Sequence, residues 1–454
     1  MNNVLPTKQL ALLGGDIIMI LASFCLAPVL RFRVFLDFSL IFDWPDLSVI
    51  LFYLLTFYIF DFYSLQERFT SAAYALRFLV ALMVADLGIA AFLYVFNARP
   101  YPASILILNT VLIFFFCLGW RRLYYYWNHQ IRRVFRALII GAGKAGNDLQ
   151  DMLSHREEFE LKGFLDDDPQ KAGMERGGVR VLGNTTRLMS FLNDIDIVIV
   201  AITRNLSQDL YRQLVQAKMK GIMVYEMPSF CEEFIERIPV NHVSDLWFVY
   251  VPISGVRRNL YNVKIKRITD LILSLLGLLI TLPLMLIVAP VIKCESKGPV
   301  FYVQRRIGWN GRPFDLVKLR TMKVGFDSDR QYAGRKDDPR ITRIGRIMRF
   351  FRIDEIPQMW NVIKGEMSFI GPRALIKAEI DEFSPQIPYF SLRHSIRPGI
   401  TGWAQINYPH GITAQDALAK LEYDLYYIKN LSPLLDLLIL VRTVKTVIFG
   451  RGAK

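Results

Sequence analysis

Two adjacent carboxylates, Asp354 and Glu355, follow the most basic part of the sequence. From Arg305 to Arg352 the chain has fourteen Lys or Arg against five Asp, a net charge of +9 within a chain of net charge +14. Phosphoryl transfer through a covalent aspartyl intermediate requires a carboxylate that attacks phosphorus and cations that neutralise the phosphoryl oxygens. An Asp-Glu pair alone usually marks a solvated surface, but this concentration of positive charge predicts phosphoryl-transfer chemistry.

The residues just before the pair have the period of an amphipathic helix. Its apolar side contains Ile341, Ile344, Ile347, Met348 and Phe351, and its basic side Arg343, Arg346, Arg349 and Arg352. The pattern fits a helix on an anionic membrane surface as well as a core-facing helix with a charged edge. Pro357 suits the first turn of a second helix, so Asp354 is expected at a helix start, where free backbone N–H groups favour phosphate.

The segment around this pair resembles a known family, the bacterial polyprenyl-phosphate sugar-phosphate transferases, which are monotopic phosphoglycosyl transferases. The resemblance begins near Lys264 and continues to the C-terminus. It is carried, besides the Asp-Glu segment, by KRITD, GPVFYVQRRIGWNGRPFDLVKLRTM, DPRITRIGR, RHSIRPGITGWAQINY and LEYDLYYIKN. One departure is visible, because Pro372-Arg373-Ala374 stands where the family usually has Pro-Arg-Pro. Arg373 is retained, so the change bears on the rigidity of this loop.

The resemblance implies transfer of a sugar-1-phosphate from a UDP-sugar to undecaprenyl phosphate with release of UMP, the first membrane step of exopolysaccharide or O-antigen synthesis. Asp354 would be the nucleophile, and Glu355 would assist attack by the lipid phosphate or orient a metal. The expected cofactor is Mg²⁺, held partly by Asp354, because this cation pairs with a carboxylate and substrate phosphates. The predicted phosphate-binding residues are Arg349, Arg373 and Arg320, followed by Arg352, Lys318, Arg340 and Gln358.

The composition predicts a membrane protein, since 53% of the 454 residues are hydrophobic and they cluster in long segments. Four apolar segments, at about 10–30, 47–63, 72–96 and 103–122, predict a domain of four transmembrane helices over residues 1–125. Basic residues follow the fourth segment and place its end in the cytoplasm; they are Arg121, Arg122, Arg132, Arg133 and Arg136. These patterns predict a multi-pass protein with its catalytic domain on the cytoplasmic face, and the family resemblance implies the bacterial inner membrane.

Residues 126–255 predict a doubly wound α/β domain, because buried strands alternate with helical patterns. Gly141, Gly143 and Gly146 lie between the first strand and a helix, and acidic residues 166–168 follow about twenty residues later, as in nucleotide-binding Rossmann-like domains. Either this domain binds a nucleotide or its glycines are kept for packing alone. The family resemblance implies a regulatory or scaffolding role.

An apolar stretch at 268–292 has basic residues on both sides and Pro283 near its centre. This pattern predicts a re-entrant membrane helix over 256–293, broken at Pro283, because both flanks then stay in the cytoplasm. A fifth spanning helix is the alternative. The remaining residues, 294–454, are expected to form a mainly α-helical catalytic domain at the membrane surface.

Two other functions fit parts of the chain. A nucleotide-sugar oxidoreductase or epimerase would act through the glycine loop of the α/β domain, and a non-enzymatic membrane scaffold would contain a decayed catalytic domain. The intact pair and Arg373 argue against decay. The expected partners are the UDP-sugar, undecaprenyl phosphate, membrane lipid and a second copy of the chain in a homodimer, with no nucleic acid. No motif identifies the sugar.

Overall fold

The structure is a computed structural model of the chain. It describes residues 7–32, 44–63, 71–96, 103–129, 134–323 and 340–448, apart from 155, 157, 203–205, 244, 258, 409–410 and 412. Arg132 and Arg133, which the topology prediction used, lie outside the described residues. The chain divides into two compact units, Met1–Arg133 and Val134–Lys454.

The first unit contains the four predicted apolar helices. They are α1 (Thr7–Phe32), α2 (Trp44–Ile59), α3 (Ala72–Val95) and α4 (Ala103–His129). Helices α1, α3 and α4, together with the segment Tyr261–Glu295 of the second unit, are long and apolar enough to cross a bilayer, which identifies a membrane protein. Helix α2 has only 16 residues and ends before the predicted segment does, because the chain turns at Asp61, whose φ is 66°.

A buried ion pair joins α1 to α4. Arg121 and Asp16 are both fully buried, and the Arg121 guanidinium also donates to the backbone oxygen of Phe62 (2.6 Å) and the hydroxyl of Tyr74 (2.8 Å). This corrects the sequence interpretation of Arg121 as a charge beyond the end of the fourth span. Its charge is neutralised inside the bundle, so it does not contribute to the positive charge that was used to orient the helices.

The second unit begins with an α/β domain. Its sheet has the strand order β3-β4-β2-β1-β5-β6, and all neighbours are parallel except the antiparallel pair β3 and β4. The strands are β1 (Phe135–Ile140), β2 (Phe159–Leu165), β3 (Glu175–Arg176), β4 (Val179–Gly183), β5 (Ile197–Val200) and β6 (Met223–Glu226). The helices are α5 (Lys144–Leu153), α6 (Gln208–Met219) and α7 (Met227–Phe230). Apolar residues are buried on both faces of the sheet, and the predicted Rossmann-like architecture is confirmed.

Helices predominate in the rest of the second unit, as predicted. They are α8 (Asp245–Tyr250), α9 (Lys266–Glu295), α10 (Arg343–Phe350), α11 (Gln358–Lys364), α12 (Lys377–Phe383), α13 (Trp403–Asn407), α14 (Ala414–Asn430) and α15 (Pro433–Ile448). An antiparallel hairpin pairs β7 (Phe301–Ile307) with β8 (Pro313–Leu319), and a parallel pair joins β9 (Ser368–Ile370) to β10 (Gly399–Thr401). These two small sheets fix the loops that carry the site described below.

Helix α9 runs through Pro283 and Pro290 without interruption. The predicted break at Pro283 is therefore corrected. Proline removes one backbone hydrogen bond and bends a helix, but the turns on either side can continue. The helix also extends three residues past the apolar stretch, to Glu295, whose carboxylate accepts from the first backbone N–H groups of α10.

Both ends of α9 pack on the same domain. Near its start, Asp270 accepts a hydrogen bond from the backbone N–H of Phe369 at 2.9 Å, and near its end Ile292 is buried against Leu319. The middle of the helix is exposed, with 75% of Ile280 accessible. An apolar helix whose two ends contact one domain leaves its central side chains available to lipid.

Candidate active site

Asp354 and Glu355 lie in a short 3-10 turn, Ile353–Glu355, between α10 and α11. The turn is entered through Arg352, which has a left-handed backbone with φ 58°, and each carboxylate residue is only 8% exposed. Pro357 caps α11 instead of lying inside its first turn. Asp354 is therefore one turn before the helix start where the sequence placed it, and the pair is held in a buried turn.

Three cations converge on Glu355. Its Oε1 lies 3.3 Å from Lys318 Nζ, 3.6 Å from Arg373 Nη1 and 3.7 Å from Arg352 Nη1. Lys318 lies on β8 and Arg373 in the loop after β9. The hairpin and the parallel strand pair thus each place a cation next to the same turn. The structure thus brings together five of the predicted site residues.

The two carboxyl groups have opposite pKa shifts. Burial, followed by the charge of Glu355, raises the pKa of Asp354 to about 6. Burial alone would also raise the pKa of Glu355, but Lys318, Arg373 and Arg352 outweigh it and lower that pKa to about 2. Asp354 is therefore the more basic and more nucleophilic carboxylate, whereas Glu355 stays ionised and is a poor proton acceptor.

A small cleft lies beside the pair. Its polar lining residues are Arg306, Lys318, Gln358 and Arg373. Sequence reasoning missed Arg306, whose pKa burial and the nearby Arg373 lower to about 10. A signal was present: in the strand alternation of β7, Arg306 shares a face with Gln304, which binds it at 2.6 Å, and points away from Arg305. Partly buried cations that line a cleft are suited to hold a phosphate.

The loop that carries Arg373 is fixed by backbone contacts, although it has alanine at the position of the expected second proline. The oxygen of Ala374 accepts from the Arg306 guanidinium at 3.0 Å, and the oxygen of Pro372 accepts from the backbone N–H of Gly399 at 2.8 Å. Gly371 donates to Thr401 O at 2.9 Å. Hydrogen bonds on both sides therefore supply the rigidity that a second proline would otherwise give.

The other predicted phosphate ligands have different surroundings. Arg349, on α10, donates from Nε to the hydroxyl of Thr321 at 2.9 Å and contributes to the electrostatic field at Asp354. Arg320 is buried and donates to the backbone oxygens of Ser296 and Lys297, so it caps the end of α9. Arg340 is 7% exposed and directly follows residues outside the described part. Arg349 thus acts on Asp354 electrostatically and Arg320 contacts the end of α9, and phosphate binding by either residue stays a prediction.

The glycine loop of the α/β domain is shaped by its own backbone. Gly141 has a φ of 103°, and a Cβ on Gly146 would lie 2.0 Å from the oxygen of Gly141. The carboxylate of Asp166, one of the predicted ribose-binding acids, accepts from the backbone N–H of Ala142 at 2.7 Å and pairs with Lys171 at 3.0 Å. No atom lies within 4 Å of a Cβ built on Gly143. Backbone conformation therefore explains Gly141 and close packing explains Gly146, whereas neither explains Gly143, and a nucleotide site at this loop stays a prediction.

Two family models match the α/β domain and the region that contains the carboxylate pair separately. The family described as bacterial sugar transferase matches residues 261–450, and the family described as CoA binding domain matches residues 134–226. An N-acetylgalactosaminephosphotransferase of Aeromonas hydrophila, named as acting between UDP-N-acetylgalactosamine and undecaprenyl phosphate, is 36% identical over 55% of this chain and 58% of its own length. An undecaprenyl-phosphate glucose phosphotransferase of Komagataeibacter xylinus is 35% identical over 71% of this chain and 61% of its own.

The chain thus spans about three fifths of the length of these two relatives. A shorter relative is covered more fully: a UDP-glucose:undecaprenyl-phosphate glucose-1-phosphate transferase of Caulobacter vibrioides is 40% identical over 40% of this chain and 69% of its own length. The aligned family region contains the carboxylate pair, its cations and helix α9. On this evidence the chain belongs to the bacterial sugar transferase family.

Proposed function

We propose that this protein transfers a sugar-1-phosphate from a UDP-sugar to undecaprenyl phosphate, giving undecaprenyl-diphosphate-sugar and UMP. The names of the relatives from Aeromonas hydrophila and Komagataeibacter xylinus support this class of substrates. The observation that carries the proposal is the divided carboxylate pair, in which Asp354 is basic and Glu355 is held ionised by three cations.

The reaction then proceeds in two displacements. A carboxylate oxygen of Asp354 attacks the β-phosphorus of the UDP-sugar, the bond from that phosphorus to the bridging oxygen breaks, and UMP leaves with the electron pair. A phosphate oxygen of undecaprenyl phosphate next attacks the same phosphorus and releases the Asp354 carboxylate. Arg373 and Lys318 neutralise the phosphoryl oxygens in both steps, and Glu355 keeps these cations in place instead of taking a proton.

Mg²⁺ is the cofactor we expect at this site. In the described part of the chain no cluster of three or more His, Cys, Asp or Glu is arranged to hold a metal ion. The adjacent carboxylates fit a Mg²⁺ that takes one or two protein ligands and completes its shell with substrate phosphates and water. Asp354 is the residue we expect to hold it. Bound there, the cation would add positive charge against the diphosphate of the donor.

Helix α9 supports an arrangement on one side of the membrane. Its two ends pack on the same domain, whereas a helix that crossed the bilayer would carry its ends to opposite surfaces. We propose that α9 enters the cytoplasmic leaflet of the bacterial inner membrane and returns, with a bend at Pro283 within the continuous helix. The lipid phosphate would then reach Asp354 on the cytoplasmic face, where UDP-sugars are found, for the first step of exopolysaccharide or O-antigen synthesis.

The test is release of UMP from a panel of UDP-sugars by purified protein in detergent with Mg²⁺, with and without undecaprenyl phosphate. Wild type is expected to release UMP continuously only when the lipid is present, and Asp354→Asn is expected to release none. Asp381→Asn, an equivalent change at an exposed position on α12, is the matched control and should behave as wild type. Lipid-dependent turnover by Asp354→Asn would overturn the assignment of the nucleophile.

A further inference from the structure

Arg373 is held from two sides. Its Nη1 lies 3.6 Å from Glu355 Oε1 and donates a hydrogen bond to Gln405 Oε1 at 3.2 Å. The side chain is 34% exposed, so a long and partly solvated guanidinium depends on such contacts for its orientation. We propose that Gln405 is a positioning residue that fixes the Arg373 guanidinium toward the phosphoryl group of the sugar donor. The inference rests on the proposed transferase function and names a residue that acts through Arg373.

The fold brings the two residues together through a parallel strand pair. In β9 and β10, Ser368 pairs with Gly399 and Ile370 pairs with Thr401, so both strands end at the same edge. Arg373 follows β9 and Gln405 follows β10, on α13. The segments that follow the two strands are in close contact, since a Cβ on Gly402 would lie 2.1 Å from the oxygen of Gly371. This close backbone approach leaves little freedom in where the amide meets the guanidinium.

Helix α13 is itself rigidly placed. Trp403 is 1% exposed and donates from Nε1 to the backbone oxygen of Glu236 at 3.0 Å, and the guanidinium of Arg442 lies 4.9 Å from its ring centre. The Gln405 amide therefore projects from an anchored element, which is what precise orientation of another side chain requires. The α/β domain takes part in this anchoring, because Glu236 follows its last short helices.

Stability does not explain the choice of glutamine. The Nε2 group of Gln405 is buried and has no hydrogen-bond partner among the described residues, which is an unfavourable arrangement. An apolar residue of the same length would avoid it. The acceptor Oε1, by contrast, has a specific partner in Arg373. The hydrogen bond that the Gln405 oxygen accepts from Arg373 therefore accounts for an amide at this position.

The experiment compares Gln405→Leu with Gln386→Leu, the same change at an exposed glutamine of the same domain. Gln405→Leu should lower kcat/KM for the UDP-sugar by about 10- to 100-fold, because a misplacement of about 1 Å near the reacting groups can cost about 100-fold. The thermal unfolding midpoint should not fall, because the change removes a buried N–H group that has no partner among the described residues. Gln386→Leu should match wild type. In an Arg373→Lys background, Gln405→Leu should add little further loss, as expected of two residues that act as one unit.

Full activity of Gln405→Leu, or a loss that simply multiplies with that of Arg373→Lys, would overturn the inference. Binding of inorganic pyrophosphate, measured by titration calorimetry, separates this result from failure of the proposed function. Gln405→Leu should bind the anion about 10-fold more weakly than wild type, as expected for a disturbed charged hydrogen-bond donor. If wild type releases no UMP from any UDP-sugar, the proposed function fails, and equal pyrophosphate affinities of wild type and Gln405→Leu would still refute the role of Gln405.

Discussion

Replacing Glu355 with glutamine should move the pH dependence of the first chemical step toward acid. Burial and the charge of Glu355, in that order, raise the pKa of Asp354 to about 6, and Lys318, Arg349 and Arg352 act in the opposite direction. Asp354 must be ionised to attack, so activity should appear as the pH rises through about 6. Without the Glu355 charge, burial and the cations remain.

A neighbouring like charge typically accounts for about 1 to 2 pKa units. The acid limb of Glu355→Gln should therefore fall by roughly that amount, to about pH 4 to 5. The rate on the plateau should fall by about 100-fold, because Lys318, Arg352 and Arg373 lose the carboxylate that aligns them. At low pH the lower pKa increases the ionised fraction of Asp354, whereas the lost alignment of the cations lowers the rate at every pH. A single pH profile therefore separates the two effects.

The assay is the rate of the UMP burst from a UDP-sugar in the absence of undecaprenyl phosphate, followed from about pH 3.5 to 8. Omitting the lipid isolates the attack by Asp354 and removes the titration of the lipid phosphate, whose second pKa is about 6. Glu382→Gln, at an exposed position on α12, is the matched control. An acid limb in Glu355→Gln that stays at the wild-type pH, or moves upward, would refute the electrostatic account of the pair.

Three further predictions concern other parts of the chain. Arg306→Gln should raise KM for the UDP-sugar by about 10-fold, because a partly buried cation leaves the cleft and Ala374 O loses its donor; an unchanged KM would remove Arg306 from the site. A chain that begins at Tyr261 should still bind membranes through α9 and retain part of its activity, and a fully soluble product in flotation assays would contradict the role of α9. Asp16→Asn should destabilise the helical unit by about 3 to 5 kcal/mol, since Arg121 is left buried without its partner; unaltered thermal unfolding in detergent would disprove this.

The sequence predicted what depends on local pattern. The Asp-Glu pair, the basic run before it, the apolar helices and the alternation of the α/β domain are each contained in a short continuous segment. The three cations around Glu355 were named as candidates because they lie in recognisable motifs, but their convergence depends on a hairpin and a strand pair that are distant in sequence.

Three arginines have surroundings that local sequence does not indicate. Arg320 lies just beyond the end of β8, so the strand alternation that aims Lys318 at Glu355 no longer applies to it, and it turns to the end of α9. Arg121 was counted as a flanking charge because its buried partner, Asp16, is more than one hundred residues away. Arg306 was overlooked although the alternation of β7 separates it from Arg305, because the sequence does not show which face of β7 lines the cleft.

The covalent intermediate is the central claim, and its direct measurement is mass spectrometry of peptides from protein mixed briefly with a UDP-sugar and Mg²⁺ without lipid acceptor. We predict one phosphosugar adduct per chain, located on Asp354, which disappears when undecaprenyl phosphate is added and never forms in Asp354→Asn. Lipid-dependent UMP release by wild type without any adduct, or an adduct on another residue, would contradict the assignment of Asp354 as the nucleophile.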